Sequence, residues 1–198
     1  MSVLVVVPGF ATRSSIWPVR FREALEAHHR VCWVDRVETV HQRPIEEGAV
    51  LVGWSLGARV LGSHPEVTAA RMLITLGYHQ YFGFGVPVQQ VALATFLDRY
   101  RRSPKPAIRR FQQLVVRGEP NPVDALQCLA AATQPVAEIN LEQLALLGLP
   151  MPDLPIPVIP LVGQDDPLCQ LPNRKLPGGH LGFLSYPDQW ARAILGVI

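Results

Sequence analysis

The chain is poor in lysine, cysteine and long apolar runs, and each shortage removes a class of function. Of its 18 basic residues only Lys105 and Lys175 are lysines, and the net charge is only +2. So small an excess argues against nucleic acid as a partner, as does the lack of aromatic–basic interleaving on a β-surface. Cys32, Cys128 and Cys169 stand far apart and offer neither a metal-ligand spacing nor a disulfide framework, which fits a reducing cytoplasm. No apolar run approaches the ~18–20 residues of a membrane span. The opening residues, Met1 to Gly9, lack a basic region and a cleavage site, and read as a first strand rather than a signal peptide. What is present, 198 residues with 48% hydrophobic and 17% charged, is enough for one folded domain with a real core.

Val3–Val7 is an unbroken apolar run, the mark of a strand buried on both faces. Trp17–His28 reads as a helix with Pro18 in its first turn. Val31–Val34, Ala49–Val52 and Met72–Leu76 read as further strands, with a helix over Ser55–Ser63. This alternation predicts an α/β fold with a mostly parallel sheet and right-handed crossovers. From 78 to 150 the pattern is helical: Val88–Tyr100, Ala107–Val116, Pro122–Thr133 and Leu141–Leu147, the first two separated by Ser103-Pro104-Lys105-Pro106. Ile156–Val162 resumes the sheet, and Pro160, which lacks a ladder donor, predicts a strand that is short or bulged there. Arg174–Leu176 gives a last short strand and Pro187–Leu195 a closing helix. The expectation is a core of residues 1–77 and 151–198, with residues 78–150 as a helical cap inserted after the fourth strand.

Gly53-Trp54-Ser55-Leu56-Gly57 sits between a predicted strand and a predicted helix. A strand that turns sharply into a helix lifts a serine hydroxyl to the sheet edge, and glycines must flank it because the backbone is crowded. The alternative is a Gly-rich turn whose serine only caps the helix. A serine nucleophile needs a base, and the base needs a third group to hold its tautomer. Ser55, Asp166 and His180 supply that set in the order Ser–Asp–His, each past the C-terminal end of a predicted strand. Gly163-x-x-Asp166 favours Asp166 over Asp165; the alternative is two solvated turn carboxylates. His180 follows Gly178-Gly179, which let its loop approach the serine. His28, His29, His41 and His64 lie at a helix end or in connections, and His79 precedes the acid. An oxyanion needs preset backbone donors, here Leu56 and, from the Pro8-Gly9-Phe10 loop, Phe10.

Leu4–Phe10, the serine elbow, Gly163-x-x-Asp166 and His180 together resemble the α/β-hydrolase superfamily. Within it, Trp54 and Leu56 beside the serine, Trp17, and Arg109-Arg110-Phe111 are similar to the pimeloyl-acyl-carrier-protein methyl ester carboxylesterases of biotin synthesis. The resemblance implies a compact version of that fold with about six strands. It implies a serine esterase that removes the methyl ester from a pimeloyl group on acyl carrier protein, with no cofactor and no metal. A cytoplasmic monomer is expected. Tyr78, Tyr81, Phe82 and Phe84, which follow the fourth strand, are candidates to line the acyl slot, with Phe111 and Trp54 as further candidates; plain cap packing is the alternative. Arg102, Arg109, Arg110 and Arg117 would meet the acidic carrier and its phosphate, for which guanidinium groups are suited. Arg110 and Arg117 share a face if both are helical; ordinary solvated helix faces are the alternative. The sequence departs from the family at Pro8, where a histidine normally braces the loop. Only 13 residues separate Asp166 from His180, so an element there is trimmed, and the usual N-terminal hairpin is expected to be absent. A broad-scope carboxylesterase or thioesterase, and a non-catalytic binding relative, are the rival readings.

Overall fold

The structure is a computed structural model that describes residues 2–78, 87–169 and 175–198. Among the described residues six strands form one sheet: β1 (Val3–Val7), β2 (Arg30–Trp33), β3 (Val50–Trp54), β4 (Met72–Leu76), β5 (Val158–Gly163) and β6 (Lys175–Leu176). Their order is β2-β1-β3-β4-β5-β6, and every pairing is parallel. The apolar runs are unbroken because both faces are covered. Val50, Val52 and Trp54 pack into one core layer and Leu51 into the other, as the two-residue repeat of a strand requires.

On the first face lie α1 (Val19–Glu26) and α8 (Pro187–Leu195), with Trp17, Phe21, Phe183 and Trp190 between them and the sheet. On the second lies α2 (Leu56–Leu61). The predicted helix over Trp17–His28 is shorter at both ends, and Pro18 stands at its N-cap rather than inside it. Between β4 and β5 the chain makes α3 (Pro87–Arg102), α4 (Pro104–Val115), α5 (Pro122–Ala131) and α6 (Leu141–Ala145). The Ser103–Pro106 break is tighter than expected. Ser103 is the N-cap of α4 and Pro104 its first residue, where a missing N–H costs nothing. The short α7 (Gly182–Ser185) precedes α8.

Pro160 is accommodated inside β5. Leu161 gives its carbonyl to Gly77 and Pro157 gives its carbonyl to Leu73, so alternate residues of β5 face β4. Pro160 therefore turns its nitrogen away from β4, toward β6, which pairs only with Val162 and Gly163. No ladder donor is missed there.

The strand order places β3 and β2 on opposite sides of β1. The C-terminal ends of β1 and β3 thus flank the point where the winding reverses, which is where open α/β sheets leave a crevice. Among the described residues no helix is long and apolar enough to cross a membrane.

Candidate active site

Ser55 joins β3 to α2 with φ +52° and ψ −118°, a conformation that strains a non-glycine residue. Its N–H donates to Leu76 O at 2.8 Å, and its carbonyl takes the N–H of Ala58 at 3.1 Å, so the turn is fixed on both sides. The hydroxyl makes no capping bond to α2, which removes the simple helix-cap alternative. The flanking glycines are required by close approach. A Cβ on Gly53 would lie 2.4 Å from the backbone of Ala58, and one on Gly57 would lie 2.4 Å from Pro8 O.

His180 is brought to Asp166 with its Nδ1 2.8 Å from Asp166 Oδ2. The other oxygen of Asp166 accepts the N–H groups of Leu168 at 2.8 Å and Cys169 at 3.0 Å. A carboxylate that accepts at both oxygens assigns the proton to Nδ1 and leaves Nε2 as the acceptor. Nε2 is buried and has no hydrogen-bond partner among the described residues. Ser55 and His180 line the same small cavity, with Phe10, Trp54 and Phe111. Asp165 is exposed, whereas Asp166 is buried. Of the other described histidines, His64 is locked between Arg43 O and the Glu66 N–H and stacks on His41, and neither lines a cavity with Ser55.

Trp54, expected at the substrate, does line that cavity, but its indole N–H donates to His180 O at 3.0 Å. It therefore also holds the histidine loop. The Gly77 turn, at φ +60°, is equally tight: a Cβ there would lie 2.9 Å from the His180 ring.

The loop after β1 carries Phe10. No hydrogen bond among the described residues occupies the N–H of Phe10 or of Leu56. Pro8 cannot supply a bracing side chain, and other groups brace the loop instead. Thr12 Oγ1 donates to Gly9 O at 3.0 Å, Gln134 Nε2 donates to Thr12 O at 3.0 Å, and the Gln134 N–H reaches Ala11 O at 2.9 Å. Ala11 is held at φ +58°. Neither Thr12 nor Gln134 was marked by any sequence pattern.

A larger cavity of about 480 Å³ reaches Ser55 from between the inserted helices. Phe10, Phe96, Phe111, Leu144 and Leu147 give it an apolar wall, and Arg99 and Arg110 reach it from α3 and α4. Phe111 and Arg110 thus both line the cavity that contains Ser55. Tyr78 does not: it is fully buried in the α2-side core and lines neither cavity, and its burial pushes the phenol up to about 12. Phe82, with Tyr81, Phe84 and His79, lies outside the described residues. Arg102 is exposed and pairs with Asp98 at 2.7 Å. Arg109 is exposed and lines neither cavity. Arg117 does not share a helical face with Arg110, because α4 ends at Val115 and the chain turns at Gly118, φ +85°.

One buried group here has no precedent in the sequence reading. Glu119 is 5% exposed, and its Oε1 accepts the N–H groups of Gly179 at 3.0 Å and Leu181 at 2.8 Å, the two residues flanking His180. Its Oε2 accepts from Ser185 Oγ at 2.6 Å. Burial pushes its carboxyl upward; the bonds from Ser185, Leu181 and Gly179 and the proximity of His180 oppose that. Cys169 is buried beside Asp166, and both effects push its thiol up, so it is an inert core group. Among the described residues no cluster of His, Cys, Asp or Glu has the makings of a metal site.

The sequence matches no protein-family model, and none of the curated proteins matches it. Solved structures do match over nearly the whole chain. A thermophilic esterase from Thermogutta terrifontis superposes with a TM-score of 0.72 at 19% identity, over 99% of this chain and 89% of that one. The esterase RhEst1 from Rhodococcus sp. ECU1013 gives 0.68 at 19% identity, over 99% and 90%. An esterase from Exiguobacterium antarcticum gives 0.71 at 12% identity, over 100% and 91%. The fold of this chain is the α/β-hydrolase fold, shared with esterase structures.

Proposed function

We propose that this protein is a serine carboxylic-ester hydrolase working through an acyl-enzyme on Ser55. The observation that carries the reading is the buried Asp166–His180 pair, whose unpartnered Nε2 shares a cavity with Ser55 on a strained, glycine-flanked turn. Ser55 Oγ attacks the ester carbonyl and gives its proton to His180 Nε2, while Asp166 holds the imidazole in the tautomer that accepts it. The oxyanion is met by the N–H groups of Phe10 and Leu56, which no hydrogen bond among the described residues occupies. His180 returns the proton to the departing alcohol. A water activated by the same nitrogen then releases the acid and frees Ser55.

For the ester itself we propose the methyl ester of a pimeloyl group on acyl carrier protein, with residues 78–150 acting as the cap of a monomer. Support comes from an apolar cavity of about 480 Å³ that leads to Ser55 and has the guanidinium groups of Arg99 and Arg110 in its lining. A second reading is a broad-scope esterase for free esters. It is favoured because Arg102 is engaged by Asp98 and Arg117 lies beyond α4, which thins the basic patch. Two measurements separate these readings from each other and from a binding protein. A fluorophosphonate probe should label the protein and not Ser55→Ala; absence of labelling would sink the hydrolase reading. Carrier-bound pimeloyl methyl ester should be cleaved with higher kcat/KM than free methyl pimelate; equal values would leave the broad-scope esterase.

A further inference from the structure

We infer that Glu119, on the turn between α4 and α5, is the positioning residue of the catalytic histidine; the inference rests on the hydrolase reading above. His180 sits on a loop with glycines at 178 and 179, which has little stiffness of its own. Its ring is tied by Asp166 and its carbonyl by Trp54, but neither bond fixes the backbone on either side. Glu119 does so. One carboxylate oxygen spans the histidine by taking the N–H groups of residues 179 and 181, and the other oxygen reaches Ser185 in α7. The carboxylate is an acceptor only, so it satisfies both amides at once, and charge assistance makes such bonds short and strong.

Packing supports the same assignment. A Cβ on Gly179 would lie 2.7 Å from Arg117 O and 2.9 Å from Glu119 Oε1. One on Gly118 would lie 2.1 Å from Asp165 O. The turn at 117–119 therefore touches the acid loop with one residue and the base loop with the next. Together with the direct bond from the Asp165 N–H to Gly178 O at 3.1 Å, it sets the relative height of the two loops whose side chains must meet. Glu119 lines neither cavity that contains Ser55, so its effect passes through His180 rather than through the substrate.

The test compares Glu119→Ala with Glu119→Gln in the full-length protein, well below the unfolding temperature of each. A carboxamide oxygen still accepts both amides, so Gln keeps the span and Ala removes it. For a p-nitrophenyl ester, Glu119→Ala should lose about 10- to 100-fold in kcat with KM little changed, the cost of a misplaced base. Glu119→Gln should recover most of that loss. The low-field proton NMR signal of the His180 Nδ1–H shared with Asp166 should broaden or shift in Ala and return in Gln. That signal needs no turnover, so an inactive wild type would sink the hydrolase reading and still leave this inference tested. A folded Glu119→Ala protein with an unmoved Nδ1–H signal overturns it. So does a Gln variant as impaired as Ala.

Discussion

Replacing Gly118 by alanine puts a single methyl group where the acid loop already is. The Cβ would fall 2.1 Å from Asp165 O and 2.9 Å from Asp165 C. A carbon–oxygen contact settles near ~3.3 Å, so the two segments must part by roughly 1 Å. Both sides of the contact are backbone, and no rotamer change relieves it. The φ of +85° adds strain of about 1–2 kcal/mol for an L side chain. Asp165 is followed directly by Asp166, whose 2.8 Å bond to His180 absorbs the displacement. A misplacement of roughly 1 Å costs about 100-fold in turnover, equivalent to about 2.7 kcal/mol of barrier. Stability should fall by about 2–4 kcal/mol, which a domain with a typical 5–15 kcal/mol survives. The assay is steady-state hydrolysis of a p-nitrophenyl ester, paired with urea unfolding of the same samples. Gly48 is the control, because it has φ +74° but nothing within 4 Å of its Cβ. Gly48→Ala should lose about 1–2 kcal/mol of stability and no kcat. A Gly118→Ala protein with wild-type kcat, or a Gly48→Ala protein that loses as much, refutes the reasoning.

Trp54→Phe keeps a ring against Phe183 but leaves His180 O buried without its donor; urea unfolding should show a loss of about 1–3 kcal/mol. Its kcat should fall while KM for short esters holds, and a KM effect alone would return Trp54 to substrate binding. Burial raises the Glu119 pKa in the folded chain above its unfolded value, so the folded state holds the extra proton between the two. Stability must therefore fall as pH rises above the ordinary glutamate pKa and through the raised one, and Glu119→Gln, which cannot ionise, should gain on wild type over that range. Urea melts showing a constant difference across that range would refute the shift. Arg110→Glu should reduce kcat/KM for the carrier-bound ester more than for a p-nitrophenyl ester, whereas Arg102→Glu, already engaged by Asp98, should change the two alike. Equal losses for Arg110→Glu would make that residue structural.

The parts of the site that were legible in the sequence are those written in backbone shape. A serine between two obligatory glycines, an aspartate at a fixed offset from a strand end and a histidine after Gly178-Gly179 each carry their geometry locally. The strands were legible too, since both sheet faces are covered and the runs stay apolar, and even the anomaly at Pro160 marked a real position in β5. Glu119 was not legible, because a glutamate is ordinarily a surface residue and its partners are amides 60 and 62 residues further on. Thr12 and Gln134 escaped for the same reason: their bonds join β1's loop to the segment after α5. Arg117 misled through spacing alone. Seven residues from Arg110 is a shared helical face only while the helix lasts, and Gly118 ends it first.

The distances along the chain have a consequence in time. The bond from Trp54 to His180 spans 126 residues, and that from Arg13 to Glu138 spans 125. On the ribosome the elbow and the sheet's first four strands precede the histidine by roughly 5–25 seconds at synthesis rates of about 5–20 residues per second, and the inserted helices by a few seconds. Closing such separated contacts is slow, and it comes late. A nascent chain therefore carries Ser55 well before His180, which lines the same cavity, has been made. A product truncated before residue 180 lacks the histidine and also the core residues Leu181, Phe183, Trp190 and Ile194 that cover one face of the sheet. Turnover in a crude translation mixture would count finished molecules, not begun ones.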